Sequence, residues 1–127
     1  MSRKAVASPD APAAIGPYSQ AIEIDGFVFC SGQLGLDPAT GGLLEGVENQ
    51  TERALLNLEA VLGAAGLTMA DVVKTSIFLA DLSHFAQVNA IYARHIADPA
   101  PARSTVQVAA LPRAALVEIE AIARRAG

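Results

Sequence analysis

Residues 101–123, PARSTVQVAALPRAALVEIEAIA, decide how this chain is read. They hold two alternating runs separated by a proline-bearing connection. In the first, Val106 and Val108 alternate with Arg103, Thr105 and Gln107. In the second, Val117, Ile119 and Ala121 alternate with Glu118 and Glu120. Strand side chains point to opposite faces with a period of two, so both runs read as β-strands. Pairing of the two as a closing hairpin would set an arginine fork and a carboxylate on the same side of a sheet, with apolar residues behind.

Upstream of this segment, the spacing of Phe85, Val88, Ile91, Tyr92 and Ile96 predicts a helix over 83–97 with those residues buried. Asp98-Pro99-Ala100-Pro101 ends it, because proline cannot continue a helix. An apolar strand is expected over 72–80, preceded by a brief helical turn in which Thr68 and Asp71 form a capping box. A longer helix is expected over 47–65. Ala54, Leu55, Leu58, Val61, Leu62 and Ala65 form its apolar stripe, while Glu52, Arg53, Asn57 and Glu59 lie mostly away from it. Gly66 suits the C′ position. Asp25-Gly26 joins two strand-like runs, 20–24 and 27–32, as a hairpin, and a short strand is expected over 4–7. The predicted order is hairpin, helix, strand, helix, hairpin, in one α+β domain spanning 1–127. Two helices covering one face of a mixed or antiparallel sheet leave the other face for a partner chain.

Composition narrows the function. The 127 residues are 52% apolar and 17% charged, with a mean hydropathy of +0.36. No apolar run approaches the roughly 18 residues needed to cross a bilayer, so the excess points to a subunit interface and a homo-oligomer. A formal charge of −4 and dispersed basic residues argue against general nucleic-acid binding. One cysteine, Cys30, precludes an internal disulfide, and the basic N-terminus lacks the apolar stretch of a secretory signal. A cytoplasmic location is the expectation.

Several residues are candidates for chemistry. The Arg103 guanidinium can bind a carboxylate bidentately, or serve only as a surface ion-pair partner. Glu118 can act as a general base or orient a water, against the plainer role of a solvated strand residue. Tyr18, in a Gly-Pro-Tyr-Ser turn, can close over a small ligand or simply pack the turn. Ser31 and Gly32 end a strand where backbone can approach a ligand. Cys30 follows Phe29 with no basic neighbour, which predicts a buried, inert thiol. His84 and His95 have no ligand-like spacing, and no metal site is expected.

The segments AIGPYSQA (14–21), FCSGQ (29–33), NQTERALLNLEAVL (49–62), VVKTSIFLADLSHFAQVNAIY (72–92) and 101–123 together resemble the RidA/YjgF family of reactive intermediate deaminases over essentially the whole chain. The resemblance implies a chorismate-mutase-like α+β fold and a homotrimer with clefts between subunits. It also implies cofactor-free hydrolysis of 2-imino acids, formed from enamines such as 2-aminoacrylate and 2-aminocrotonate, to 2-oxo acids and ammonia. Carried over by position, it makes Arg103 the carboxylate-binding residue, Glu118 the glutamate near the reacting carbon and Tyr18 the cleft tyrosine. Ser31, Gly32 and Asn89 fall on cleft-lining positions. The chain departs from the family at Thr105, where many members carry cysteine, although a backbone amide there can still meet a carboxylate. Competing classes are a ribonuclease or translation inhibitor, a sensor of small carboxylic acids, and a chaperone-like binder.

Overall fold

The computed structural model describes residues 2–126. Their elements run β1 (Lys4–Val6), β2 (Ala21–Ile24), β3 (Phe27–Leu34), α1 (Val47–Ala64), β4 (Val72–Leu79), α2 (Phe85–Ala93), β5 (Ala102–Gln107) and β6 (Val117–Arg124). Single 3₁₀ turns cover Met69–Asp71, Leu82–His84 and Pro112–Ala114. The local signals act as expected. Asp25 and Gly26 have φ of 53° and 82°, the left-handed pair that a two-residue hairpin turn needs. Gly66 takes φ 77°, and the Leu67 N–H donates to the Leu62 carbonyl at 2.9 Å, a Schellman closure of α1. Thr68 and Asp71 form the reciprocal capping box.

The eight-residue strands β3, β4 and β6 assemble with β1, β2 and β5 into one sheet of order β1-β2-β3-β6-β4-β5. Every pairing is antiparallel except β4 with β5, which is parallel. The closing hairpin expected from residues 101–123 does not form. β4 lies between β5 and β6 and pairs with both. The reason is hydrophobic: β4 buries Thr75, Ile77 and Leu79 and belongs in the middle of the sheet, whereas β5 has no fully buried residue and takes the edge.

Both helices cover one face. Leu55, Leu58, Val61 and Leu62 of α1 pack with Val28, Ile77, Leu79, Val117 and Ile119 of the sheet in one buried cluster. Asn57, expected to lie away from the stripe, is fully buried instead. Its amide donates to the carbonyls of Leu34 and Leu36 at 3.2 and 3.0 Å, satisfying backbone beyond the end of β3. α2 is shorter than its periodicity suggested. It ends at Ala93, leaving Ile96 half-buried in the following loop. Phe85, expected in the core, is 41% exposed. No helix among the described residues is long and apolar enough to cross a membrane.

His95, just beyond α2, ties that segment to α1. Its Nδ1 lies 2.7 Å from Glu59 Oε2 and its Nε2 lies 2.8 Å from Glu52 Oε1. Carboxylates only accept, so both ring nitrogens carry hydrogen and the ring is imidazolium. Burial acts to lower its pKa, but the bonds to Glu52 and Glu59 outweigh it and raise the pKa above 6.5. The folded state therefore binds more protons than the unfolded chain once pH exceeds 6.5. The stabilisation is complete below that value and is lost as pH rises through the folded pKa. Both glutamates are more than a third exposed, so the effect is on the order of 1 kcal/mol or less. Urea melts across this range should show the decline in wild type and a flatter profile in His95→Gln.

Candidate active site

Register decides which residues can meet. Thr75 hydrogen-bonds the Tyr92 hydroxyl of α2 at 2.6 Å and so faces the helices. Arg103 is its β5 partner and Thr105 is paired with Ile77, so both share that face. Glu118 is paired with Phe78, three residues from Thr75 and on the opposite face. Arg103 and Glu118 thus lie on opposite sides of the sheet, two strands apart, rather than side by side on a hairpin. The helix-free face, which carries Glu118, also carries Phe29 and Val106, 44% and 45% exposed.

Around Arg103 the side chains are arranged to hold a guanidinium still. Its Nη1 donates to Asn89 Oδ1 at 2.7 Å. Its Cζ lies 5.0 Å from the Tyr92 ring centroid and 5.7 Å from that of Phe85. Stacking on aromatic faces favours a cation and restricts its rotamers. Phe85, Asn89 and Tyr92 follow spacings of four and three, one face of α2. That spacing is visible in the sequence, although there it is equally the pattern of a buried helix face. A shallow cavity of about 270 Å³ opens here, lined by Asn89, Tyr92, Ile96 and Arg103. Two residues further along β5, Thr105 Oγ1 is buried with no hydrogen-bond partner among the described residues.

The other candidates gather on the far side. A cavity of about 310 Å³ is walled by Tyr18, Gly32, Leu34, Glu118, Pro112 and Arg113, among others. Glu118 is half-buried, and that burial, followed by the nearby Glu120 charge, raises its carboxyl pKa above 4.5. A carboxylate poised closer to neutrality is better suited to exchange protons with water. Tyr18 is 54% exposed, and its N–H donates to the Gly16 carbonyl at 2.9 Å. Gly16, with φ 119°, permits that tight turn. The Ser31 hydroxyl donates to the Ser19 carbonyl at 2.7 Å, so its hydrogen fastens the Tyr18 turn to β3 while its lone pairs stay available. Cys30 is buried and its thiol is pushed up to about 12 by that burial, as expected of an inert cysteine.

Gly32 has a role that composition does not reveal. A Cβ there would stand 2.7 Å from both Cδ and Oε2 of Glu118, so the carboxyl occupies the space that any other side chain would fill. Gly32→Ala should push the carboxyl aside while stability changes little, since the displaced atoms end a flexible side chain. Misplacement on the scale of 1 Å costs on the order of 10²-fold in rate. Turnover assays and thermal melts on the one variant separate the two effects.

The comparisons agree with this architecture. The family model described as Endoribonuclease L-PSP matches residues 8–125. A protein called DfrA from Myxococcus xanthus is 54% identical over 97% of this chain and 96% of its own length. The Mus musculus 2-iminobutanoate/2-iminopropanoate deaminase is 51% identical over 95% of this chain and 90% of its own. The crystal structure of RidA from the Antarctic bacterium Psychrobacter superposes with a TM-score of 0.93 at 45% identity, covering 95% of this chain and 98% of that one. Motifs, fold and whole-chain similarity converge, and the chain belongs to the RidA/YjgF family.

Proposed function

We propose that this protein hydrolyses 2-imino acids, such as 2-iminopropanoate and 2-iminobutanoate, to 2-oxo acids and ammonia. It does so as a homotrimer of chorismate-mutase-like protomers, in clefts where Arg103 of one copy meets Glu118, Gly32 and Tyr18 of its neighbour. The observation that carries this reading is the separation of Arg103 and Glu118 on opposite faces of one sheet. Arg103, held by Asn89, Tyr92 and Phe85, has no proton-handling group beside it, and Glu118 lies in a separate cavity on the other face. The name of the mouse relative supports the choice of reaction.

The chemistry follows from the residue types. The substrate carboxylate takes two charge-assisted hydrogen bonds from Arg103, which Asn89, Tyr92 and Phe85 hold in place. Glu118 orients a water and accepts its proton as the oxygen adds to C2. The imine nitrogen gains protons, the C2–N bond breaks, and ammonia leaves as the C2–O double bond forms. Tyr18 closes the cleft with its hydroxyl, Ser31 and the backbone at Thr105 complete the carboxylate's surroundings, and no cofactor is required. The ribonuclease reading draws on the family model's description, but a net charge of −4 with dispersed basic residues offers phosphates no footprint.

The test couples a serine or threonine dehydratase to this protein in the presence of semicarbazide, which traps the imine in competition with hydrolysis. Wild type should suppress semicarbazone formation. Unabated trapping by the pure oligomer would refute imine hydrolysis and leave a binding role.

A further inference from the structure

The proposed chemistry leaves one cation of the Glu118 cavity without a task. Arg113 lines that cavity beside Pro112, facing a space also bounded by Tyr18, Gly32 and Glu118. Arg53, Arg103 and Arg125 each donate to a side-chain partner, whereas among the described residues Arg113, like Arg3, Arg94 and Arg124, has neither an ion pair nor a side-chain hydrogen bond. Its backbone is unusual too. Arg113 and Ala114 have φ of 62° and 55°, a left-handed pair with no glycine in it. The loop is nonetheless firmly held. Ala115 is buried, the Leu116 N–H donates to Gln50 Oε1 at 2.8 Å, and the Leu116 carbonyl accepts from the Ala80 N–H at 3.1 Å. Arg113 is exposed, and no contact of its own side chain requires that conformation. A place for the arginine in the cavity wall gives a reason to retain it.

From this geometry we infer that Arg113 is a specificity-determining residue that binds a second carboxylate, and that the enzyme's substrates include 2-imino dicarboxylates such as 2-iminosuccinate and 2-iminoglutarate. The inference rests on the imine-hydrolysis reading. With the C1 carboxylate held by the neighbour's counterpart of Arg103, a monocarboxylate substrate leaves the Arg113 fork unused. The cavity volume of about 310 Å³ leaves room for a longer side chain than a methyl or ethyl group. A side-chain carboxylate would otherwise enter beside Glu118 and Glu120 with no compensating charge, and a planar guanidinium is the group that fits it. The reaction is unchanged: water oxygen bonds to C2, the C2–N bond breaks, ammonia leaves with the water's protons, and the product is a 2-oxo dicarboxylate.

The experiment compares 2-iminosuccinate, produced in place by an L-aspartate oxidase, with 2-iminopropanoate from the dehydratase, each followed by semicarbazone competition. The variants are Arg113→Gly, which removes the charge and suits the left-handed backbone, and Arg113→Lys, which keeps the charge. The ratio of kcat/KM for iminosuccinate over iminopropanoate should fall about tenfold or more in Arg113→Gly and recover in part in Arg113→Lys, as expected on losing a charge-assisted contact. An unchanged ratio overturns the inference, whether both activities persist or fall together. So does a wild type that hydrolyses iminopropanoate but not iminosuccinate, or an Arg113→Gly protein that loses its oligomeric mass, which would make Arg113 an interface residue. A wild type inactive on both substrates refutes the imine-hydrolysis reading itself, and this inference with it.

Discussion

Arg103→Ala is expected to lower kcat/KM for 2-imino acid hydrolysis by roughly 10²- to 10⁴-fold, the loss of two hydrogen bonds to a charged group at about 1.5–3 kcal/mol each. The oligomer and its melting temperature should change little, because Arg103 is only half-buried and lies on the edge strand. Arg103→Lys should recover little of the loss. Lysine keeps the charge but not the planar fork, and an ammonium cannot accept the geometry that Asn89, Tyr92 and Phe85 impose on a guanidinium. The measurement is steady-state kinetics of the coupled assay, with light scattering to confirm assembly. Activity within a few-fold of wild type in an intact Arg103→Ala oligomer would remove this residue from the site.

Glu118→Gln is expected to slow turnover by about 10²- to 10⁴-fold, the range typical of losing a positioned proton acceptor, and also to stabilise the protein. Burial first, then the Glu120 charge, holds the Glu118 pKa above 4.5 in the fold. Its folded pKa thus exceeds the unfolded value, so its contribution to stability is fully present below pH 4.5 and is lost as pH rises through the folded pKa. At neutral pH the fold bears an ionised carboxylate that it disfavours. Glutamine fills the same volume over Gly32 without that charge, so the melting temperature at neutral pH should rise as activity falls. The same displacement predicts that the acid limb of the wild-type kcat/KM profile lies above pH 4.5 and vanishes in Glu118→Gln. Reduced stability together with full activity in that variant would assign Glu118 to structure alone.

Local features of this fold are written in local sequence. The Asp25-Gly26 turn, the α1 stripe, the Gly66 closure and the Thr68–Asp71 capping box each depend on residues within a few positions of one another, and each forms. What depends on distant partners is harder to read. Nothing in 101–123 shows that β4 will enter between β5 and β6, because that choice belongs to the apolar character of 72–79. The candidate residues themselves were visible as residue types, but the faces they occupy were not. A one-strand change in pairing moved Arg103 and Glu118 from neighbours to opposite sides.

Two further residues illustrate the same limit. Asn57 looked like a surface residue because the carbonyls that need its amide lie 23 and 21 positions away. At Gly35, a Cβ would collide with the backbone of Gln50 in α1. Both positions are dictated by how closely α1 settles against the end of β3. The α1–β3 approach is a tertiary fact with no short-range signature.

The central claim is that one protomer holds half a site and its neighbour the other half. Mixing Arg103→Ala with Glu118→Gln, each inactive alone, tests it most directly. The two chains are denatured together, refolded at equal ratio, and assayed by semicarbazone competition. If each site takes Arg103 from one protomer and Glu118 from the next, random assembly leaves about one quarter of the sites with both residues intact. Activity should therefore return to about a quarter of the wild-type level. No recovery in properly assembled mixtures would mean that both residues serve one site within a single chain, or none, and would contradict the account.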